Sequence, residues 1–263
     1  MKVRTLGAEH ALVLPNSFES ALAARSWGAR WRVGYATDGR ARLLTHPVPR
    51  PSPRQHQVDE YLTLLGAYGI TPTETTPRLR LSPADSDGGV EALLREAGIT
   101  PDATLVGLHL GAAFGPSKLW ASERWVELVR EMQGMRGIPV LLGSPGELPF
   151  AQEVRRRVGA PVPSLVGRDS SALLPRLLSR FDLLISGDTG VAHLAAAVGV
   201  GVVTLFGPTD PRLTAPRSAQ ARTIAKAVPC APCFLTHCPI DHPCMAGIEV
   251  SDILEQLESL LWG

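Results

Sequence analysis

The chain has 263 residues, enough for one large or two small domains, and its 44% hydrophobic share is that of a protein with an ordinary globular core. A formal net charge of +1 argues neither for nor against nucleic acid, but there is no lysine-rich tract of the kind that marks a nucleic-acid tail, and no nucleic-acid partner is expected. The first ten residues lack a signal-peptide core, and no apolar run is long enough to span a membrane. The expectation is therefore a cytoplasmic protein, with any membrane association peripheral.

In chain order, residues 11–14 read as a strand, 17–27 as a helix capped by Asn16 or Ser17, and 31–35 as a second strand. This βαβ rhythm marks an α/β fold. Between residues 25 and 54 stand Arg25, Arg30, Arg32, Arg40, Arg42, Arg50 and Arg54 against a single acid, Asp38. Guanidinium groups suit carboxylates and phosphates, so Arg32, Arg40 and Arg42 are candidates to face an anionic acceptor. A solvated basic face is the plainer alternative. Residues 47–53 read as a loop, and 56–68 carry the apolar spacing of a helix. The proline- and threonine-rich stretch 71–86 reads as a linker between domains.

Beyond it the pattern predicts a helix over 89–97, a strand over 104–109, a glycine-rich loop over 111–120, a helix over 122–132 and a strand over 138–142. That strand runs into Gly143-Ser-Pro-Gly-Glu147. A carboxylate just after a parallel strand can accept both hydroxyls of a ribose, as in dinucleotide folds, or simply favour the first turn of the next helix. Residues 170–181 read as an amphipathic helix bent by Pro175. Next come a buried strand over 182–186, a turn bracketed by Gly187 and Gly190, a helix over 191–198 and a second buried strand over 202–206. The unpaired N–H groups of Thr189 and Gly190 at the opening of that helix form a ready anion site, where a diphosphate fits. His193, one turn in, can donate to a phosphate oxygen. Asp188 is either the N-cap of the helix or part of the ligand site. The turn Gly207-Pro-Thr-Asp-Pro211 is expected to form a neighbouring wall.

All 4 cysteines, Cys230, Cys233, Cys238 and Cys244, fall in one short segment together with His237 and His242. A tetrahedral zinc or iron–sulfur site is one reading, although only Cys230 and Cys233 have the paired spacing of a zinc module. A reducing cytoplasm argues against disulfides. Residues 250–262 close the chain as an amphipathic helix.

The double motif Ser186-Gly-Asp-Thr-Gly-Val-Ala-His-Leu-Ala-Ala-Ala and Val203-Thr-Leu-Phe-Gly-Pro-Thr-Asp-Pro closely resembles the heptosyltransferases of glycosyltransferase family 9. The run Leu14-Pro-Asn-Ser-Phe-Glu-Ser-Ala-Leu, with Arg32-Val-Gly-Tyr and Arg42-Leu-Leu-Thr-His, is similar to the heptosyltransferase II type. The resemblance implies a GT-B-like α/β architecture of two Rossmann-like domains, the first of them truncated. The expected division is an acceptor-side domain over 1–75, a nucleotide-sugar domain over 86–248, and a terminal helix over 249–263 that packs back on the first domain. It implies inverting transfer of heptose from ADP-heptose to the lipopolysaccharide inner core, without a metal or other cofactor. In the family a lysine leads a tryptophan by two residues, as Lys118 leads Trp120, which makes Lys118 a phosphate contact. Lys118 and His193 then stabilise the leaving group, while Glu147, Asp188, Thr189 and Gly190 complete the nucleotide-sugar site. The family's catalytic aspartate lies on an earlier loop with no counterpart in residues 1–10, so no base is assigned, and a fragment or a misplaced start is expected. A non-catalytic nucleotide-sugar-binding homologue and a transferase using another nucleotide sugar are the alternatives.

Overall fold

The structure, a computed structural model, describes residues 7–82, 88–168 and 170–262. The chain divides into two compact units, Met1–Thr75 and Thr76–Gly263. Part of the stretch read as a linker lies outside the described residues, and 71–82 carry no regular element.

In the first unit, β1 (His10–Val13), β2 (Trp31–Tyr35) and β3 (His46–Val48) form a parallel sheet in that order. Helix α1 (Phe18–Ser26) starts where expected, because the Ser17 side chain caps the N–H of Ser20, and it buries Ala21 and Ala24 against Val13 and Leu44. Pro47 belongs to β3 rather than to a loop. As β3 is an edge strand, the missing proline N–H costs no ladder bond. Helix α2 (Gln57–Gly66) packs Leu64 on Val33 and Tyr35. It also carries Glu60, only 1% exposed, which is held by Arg50 at 3.1 Å and Arg54 at 2.5 Å.

The second unit is a doubly wound parallel sheet. Its strands are β4 (Leu105–His109), β5 (Ile138–Leu142), β6 (Leu183–Gly187), β7 (Gly201–Phe206) and β8 (Ala221–Ala225), in the order β5-β4-β6-β7-β8. Successive residues of one strand enter opposite cores: Leu183 and Ile185 join one cluster, Leu184 the other. Both faces are therefore covered, which is why β4 to β7 read as apolar runs. Helices α4 (Ser122–Met132), α5 (Leu148–Val158) and α10 (Val250–Leu261) supply one cluster. Helices α3 (Gly88–Glu96), α6 (Leu174–Leu178) and α7 (Gly190–Ala197) supply the other. Two short helices, α8 (Pro211–Thr214) and α9 (Pro243–Ala246), complete the unit.

One expectation changes here. The helix read over 170–181 contracts to α6, and Pro175 sits in its first turn, where it starts a helix instead of bending one. Helix α10 buries Val250, Ile253 and Leu257 in the core of the second unit and contacts α4 and β7.

Candidate functional site

Strand β4 lies between β5, which follows it in the chain, and β6, so the winding reverses direction between β4 and β6. Open α/β sheets bind ligands in the crevice at the carboxyl ends of the strands where this reversal occurs. Here the two strand ends meet in register, His109 opposite Ser186. Above them opens a cavity of about 420 Å³ lined by His109, Gly111, Ser144, Glu147, Thr189 and Gly190, among others.

Glu147 reaches this cavity from a short turn (Pro145–Glu147) after β5. Its Oε2 accepts the Ser144 hydroxyl at 2.6 Å, and the carboxylate lies directly over Gly111, where an added Cβ would come within 2.9 Å of the carboxyl carbon. A side chain at Gly111 would push the Glu147 carboxylate out of this position. On the facing side, Thr189 is the N-cap of α7 in extended conformation, and its side chain makes no capping bond. The first N–H groups of the helix are left for a ligand.

Asp188 does not cap the helix. Its Oδ2 takes Lys118 Nζ at 2.5 Å and the Thr209 hydroxyl at 2.7 Å, and its carbonyl accepts a second bond from Lys118 at 3.1 Å. Lys118 is 8% exposed, and its ammonium also stands 4.5 Å from the centre of the Phe114 ring. The glycine-proline turn expected to wall the cleft therefore acts through Thr209, which joins the Lys118–Asp188 pair next to Thr189. His193 sits at the fourth position of α7, exposed, and is not among the cavity-lining residues.

The cysteine segment has a different part from the one weighed for it. Among the described residues no three His, Cys, Asp or Glu side chains stand together in reach of one ion, and Cys230, Cys233, Cys238 and Cys244 are free thiols. The segment instead braces both site turns. Ser117, beside Lys118, donates its N–H to Thr236 at 3.2 Å and its hydroxyl to the Leu235 carbonyl at 2.6 Å. The Phe234 N–H donates to Pro208 at 2.8 Å. Gly207 is pressed so closely that an added Cβ would fall 2.5 Å from Met245 Sδ and 3.2 Å from Cys244 Sγ. Burial pushes the Cys244 thiol up, helped by Cys230 and Cys233 nearby.

His109 is the cavity residue that sequence reasoning passed over as the end of a strand. Its Nδ1 lies 3.3 Å from Ser186 Oγ, and burial lowers its pKa to about 4 against the opposing pull of Glu147, so the imidazole is neutral at pH 7. Of the arginines expected to face an acceptor, Arg40 is 0% exposed, with its guanidinium donating to the carbonyls of Pro15, Ser17 and Tyr35 and to Asn16 and Ser20. Arg32 donates to Leu43 and Ala29. Both brace loops of the first unit, whereas Arg42 is exposed.

A parallel α/β sheet with an anion-ready helix start, a carboxylate in the same cavity and a buried lysine beside it makes the crevice between β4 and β6 the candidate ligand site. Residues 2–243 match the model of glycosyltransferase family 9 (heptosyltransferase), and the chain belongs to that family. It is 29% identical to lipopolysaccharide heptosyltransferase 2 of Escherichia coli over 82% of its own length and 64% of the relative's. To lipooligosaccharide heptosyltransferase 2 of Haemophilus influenzae it is 27% identical, over 81% of its length and 64% of the relative's. The chain thus spans a little under two thirds of these curated relatives. The solved structure of E. coli ADP-heptose lipopolysaccharide heptosyltransferase II superimposes with a TM-score of 0.80 at 25% identity, covering 99% of this chain and 78% of that one.

Proposed function

We propose that the second unit binds ADP-heptose and that the protein transfers the heptose, with inversion, to a hydroxyl of the lipopolysaccharide inner core. The observation that carries this reading is the cavity at the β4/β6 reversal, which sets the Glu147 carboxylate across from the Thr189 and Gly190 N–H groups. This lining suits a nucleoside diphosphate, with the ribose at Glu147 and the diphosphate at the start of α7. The solved E. coli relative is named for ADP-heptose, which favours adenine as the base.

Departure of ADP builds negative charge on the β-phosphate, and fixed donors aimed at that charge lower the barrier. Thr189 and Gly190 supply backbone N–H groups. Lys118 supplies an ammonium that needs only to exchange one acceptor, Asp188, for a phosphate oxygen. His193, exposed on the first turn of α7, serves an oxygen at the rim. The acceptor is lipid-anchored, so contact with the inner membrane is peripheral in this reading; no described helix is long and apolar enough to cross a membrane.

Calorimetric titration of ADP, UDP and GDP into the chain, with circular dichroism to establish folding, tests the reading. ADP-selective binding is expected. A folded chain that binds none of the three removes the nucleotide-sugar assignment, and preference for UDP or GDP points to another sugar donor.

A further inference from the structure

Glu147 is one acceptor in the cavity, and the hydrogen bonds around His109 define another. A serine hydroxyl has one proton. The Gly187 carbonyl, 2.9 Å from Ser186 Oγ, can only accept, and with the serine proton assigned to it Ser186 Oγ faces Thr189 Oγ1, at 3.0 Å, and His109 Nδ1, at 3.3 Å, as acceptor. In that assignment His109 carries its proton on Nδ1, and Nε2 holds a lone pair. With Nδ1 turned to Ser186, a fully buried residue, the ring edge left to line the cavity is the one bearing Nε2.

The two acceptors are neighbours: His109 ends β4, Glu147 follows the adjacent β5, and the carboxylate acts on the imidazole through its charge. Glu147 Oε2 is already occupied by the Ser144 hydroxyl, which leaves Oε1 as its open oxygen. An open carboxylate oxygen beside an imidazole lone pair matches two adjacent O–H donors, the pattern of a vicinal diol. We infer that His109 is a specificity-determining residue of the nucleotide site, its Nε2 accepting one hydroxyl of the ribose 2′,3′-diol while Glu147 Oε1 accepts the other. The inference rests on the nucleotide reading and goes beyond it, because it divides the diol between two residues. A diphosphate placed at this point would meet two acceptors and no donor, so the floor of the cavity also fixes which end of the nucleotide lies where.

The test compares ADP, 2′-deoxy-ADP and 3′-deoxy-ADP by calorimetry against wild type, His109→Leu, His109→Gln and Glu147→Gln. Wild type should bind ADP about tenfold more tightly than either deoxy nucleotide, the loss expected when a buried acceptor goes unmet. His109→Leu should lose discrimination at one hydroxyl and keep it at the other. His109→Gln, whose amide oxygen replaces Nε2 as acceptor, should recover part of it, and Ser186→Ala, which frees the tautomer, should weaken the same hydroxyl's discrimination without touching the other. Retention of both discriminations in His109→Leu, or loss of both in Glu147→Gln alone, would assign the whole diol to Glu147 and overturn the inference. Wild type that binds ADP but ignores one hydroxyl also overturns it, with the nucleotide reading intact. Folded wild type that binds no ADP removes both.

Discussion

Two buried cations, one in each unit, show how differently a fold can use a positive charge. Arg40 in the first unit is 0% exposed and donates only to neutral oxygens, chiefly main-chain carbonyls of the loop after β1. Each of its branches meets a fixed acceptor, and withdrawing any of them would strand a carbonyl. Lys118 in the second unit is 8% exposed and rests on one carboxylate, Asp188, and that residue's carbonyl, next to an open helix start. Its ammonium is compact and its partner is an anion, so in the proposed reading a phosphate takes the carboxylate's place. The planar fork of Arg40 braces structure; the point charge of Lys118 is available for exchange.

The contrast is broken most forcefully at Arg40. Arg40→Met keeps much of the buried volume but leaves several carbonyls unpaired, and each buried unpaired group costs roughly 1–3 kcal/mol, so a loss of about 4 kcal/mol is expected. Urea denaturation followed by tryptophan fluorescence reads it, while ADP affinity should stay within about twofold. Should Arg40→Met weaken ADP binding and leave stability alone, the structural role given to this arginine is wrong.

A smaller effect on stability comes from His109. Its folded pKa of about 4 lies below the ordinary 6.5, so between those values the unfolded chain binds the proton and the folded one does not. Stability is complete above pH 6.5 and falls as the pH drops towards 4, by about 3 kcal/mol over the window. The slope of unfolding free energy against pH should lose this component in His109→Leu, and an identical slope in that variant would mean that the imidazole is already charged in the fold.

Legibility in the sequence followed the range of the interactions. The strands of the second sheet, the α7 turn and the glycine-proline turn were readable because local signals set them: apolar runs, flanking glycines and the helix start. The positions of Glu147, after a strand, and of Lys118, in a loop that resembles the family's signature, are legible, while their roles belong to the proposed reading. His109 was not, because its meaning depends on Ser186, 77 residues away. Strand β8 is not legible because it is an edge strand in which Ile224 alone is buried, so it lacks the apolar run of its neighbours. The sequence does not reveal the place of Arg40 for a related reason: a charge pattern says nothing of which arginine finds a ring of carbonyls. The cysteines suggested a metal by spacing alone, whereas the contacts of their segment with Ser117, Pro208 and Gly207 are long-range packing.

Lys118 sharpens the comparison when tested with its partner. Removing the lysine alone would leave Asp188 buried without its counter-charge, at about 3–5 kcal/mol, and confuse stability with binding. Lys118→Met combined with Asp188→Asn removes both charges and should fold close to wild type. ADP affinity should nevertheless fall about 30-fold, or roughly 2 kcal/mol, the scale of one charge-assisted bond to phosphate. Normal affinity in a folded double variant would make the pair as structural as Arg40.

Thr209 gives the finest division between the two kinds of cation. Its hydroxyl donates to the same Asp188 oxygen that holds Lys118, so it shares the carboxylate's charge and loosens the grip on the ammonium. Thr209→Val keeps the shape and removes the donor, and Asp188 then concentrates on Lys118. A phosphate must compete against a stronger partner, and ADP affinity should drop about fivefold, near 1 kcal/mol. Raising the salt concentration should narrow that difference little, because the pair is buried and poorly screened. If Thr209→Val lowers the unfolding midpoint yet leaves ADP affinity unchanged, the hydroxyl only fills a hydrogen-bonding site, and Lys118 is not in exchange with a ligand through Asp188 at all.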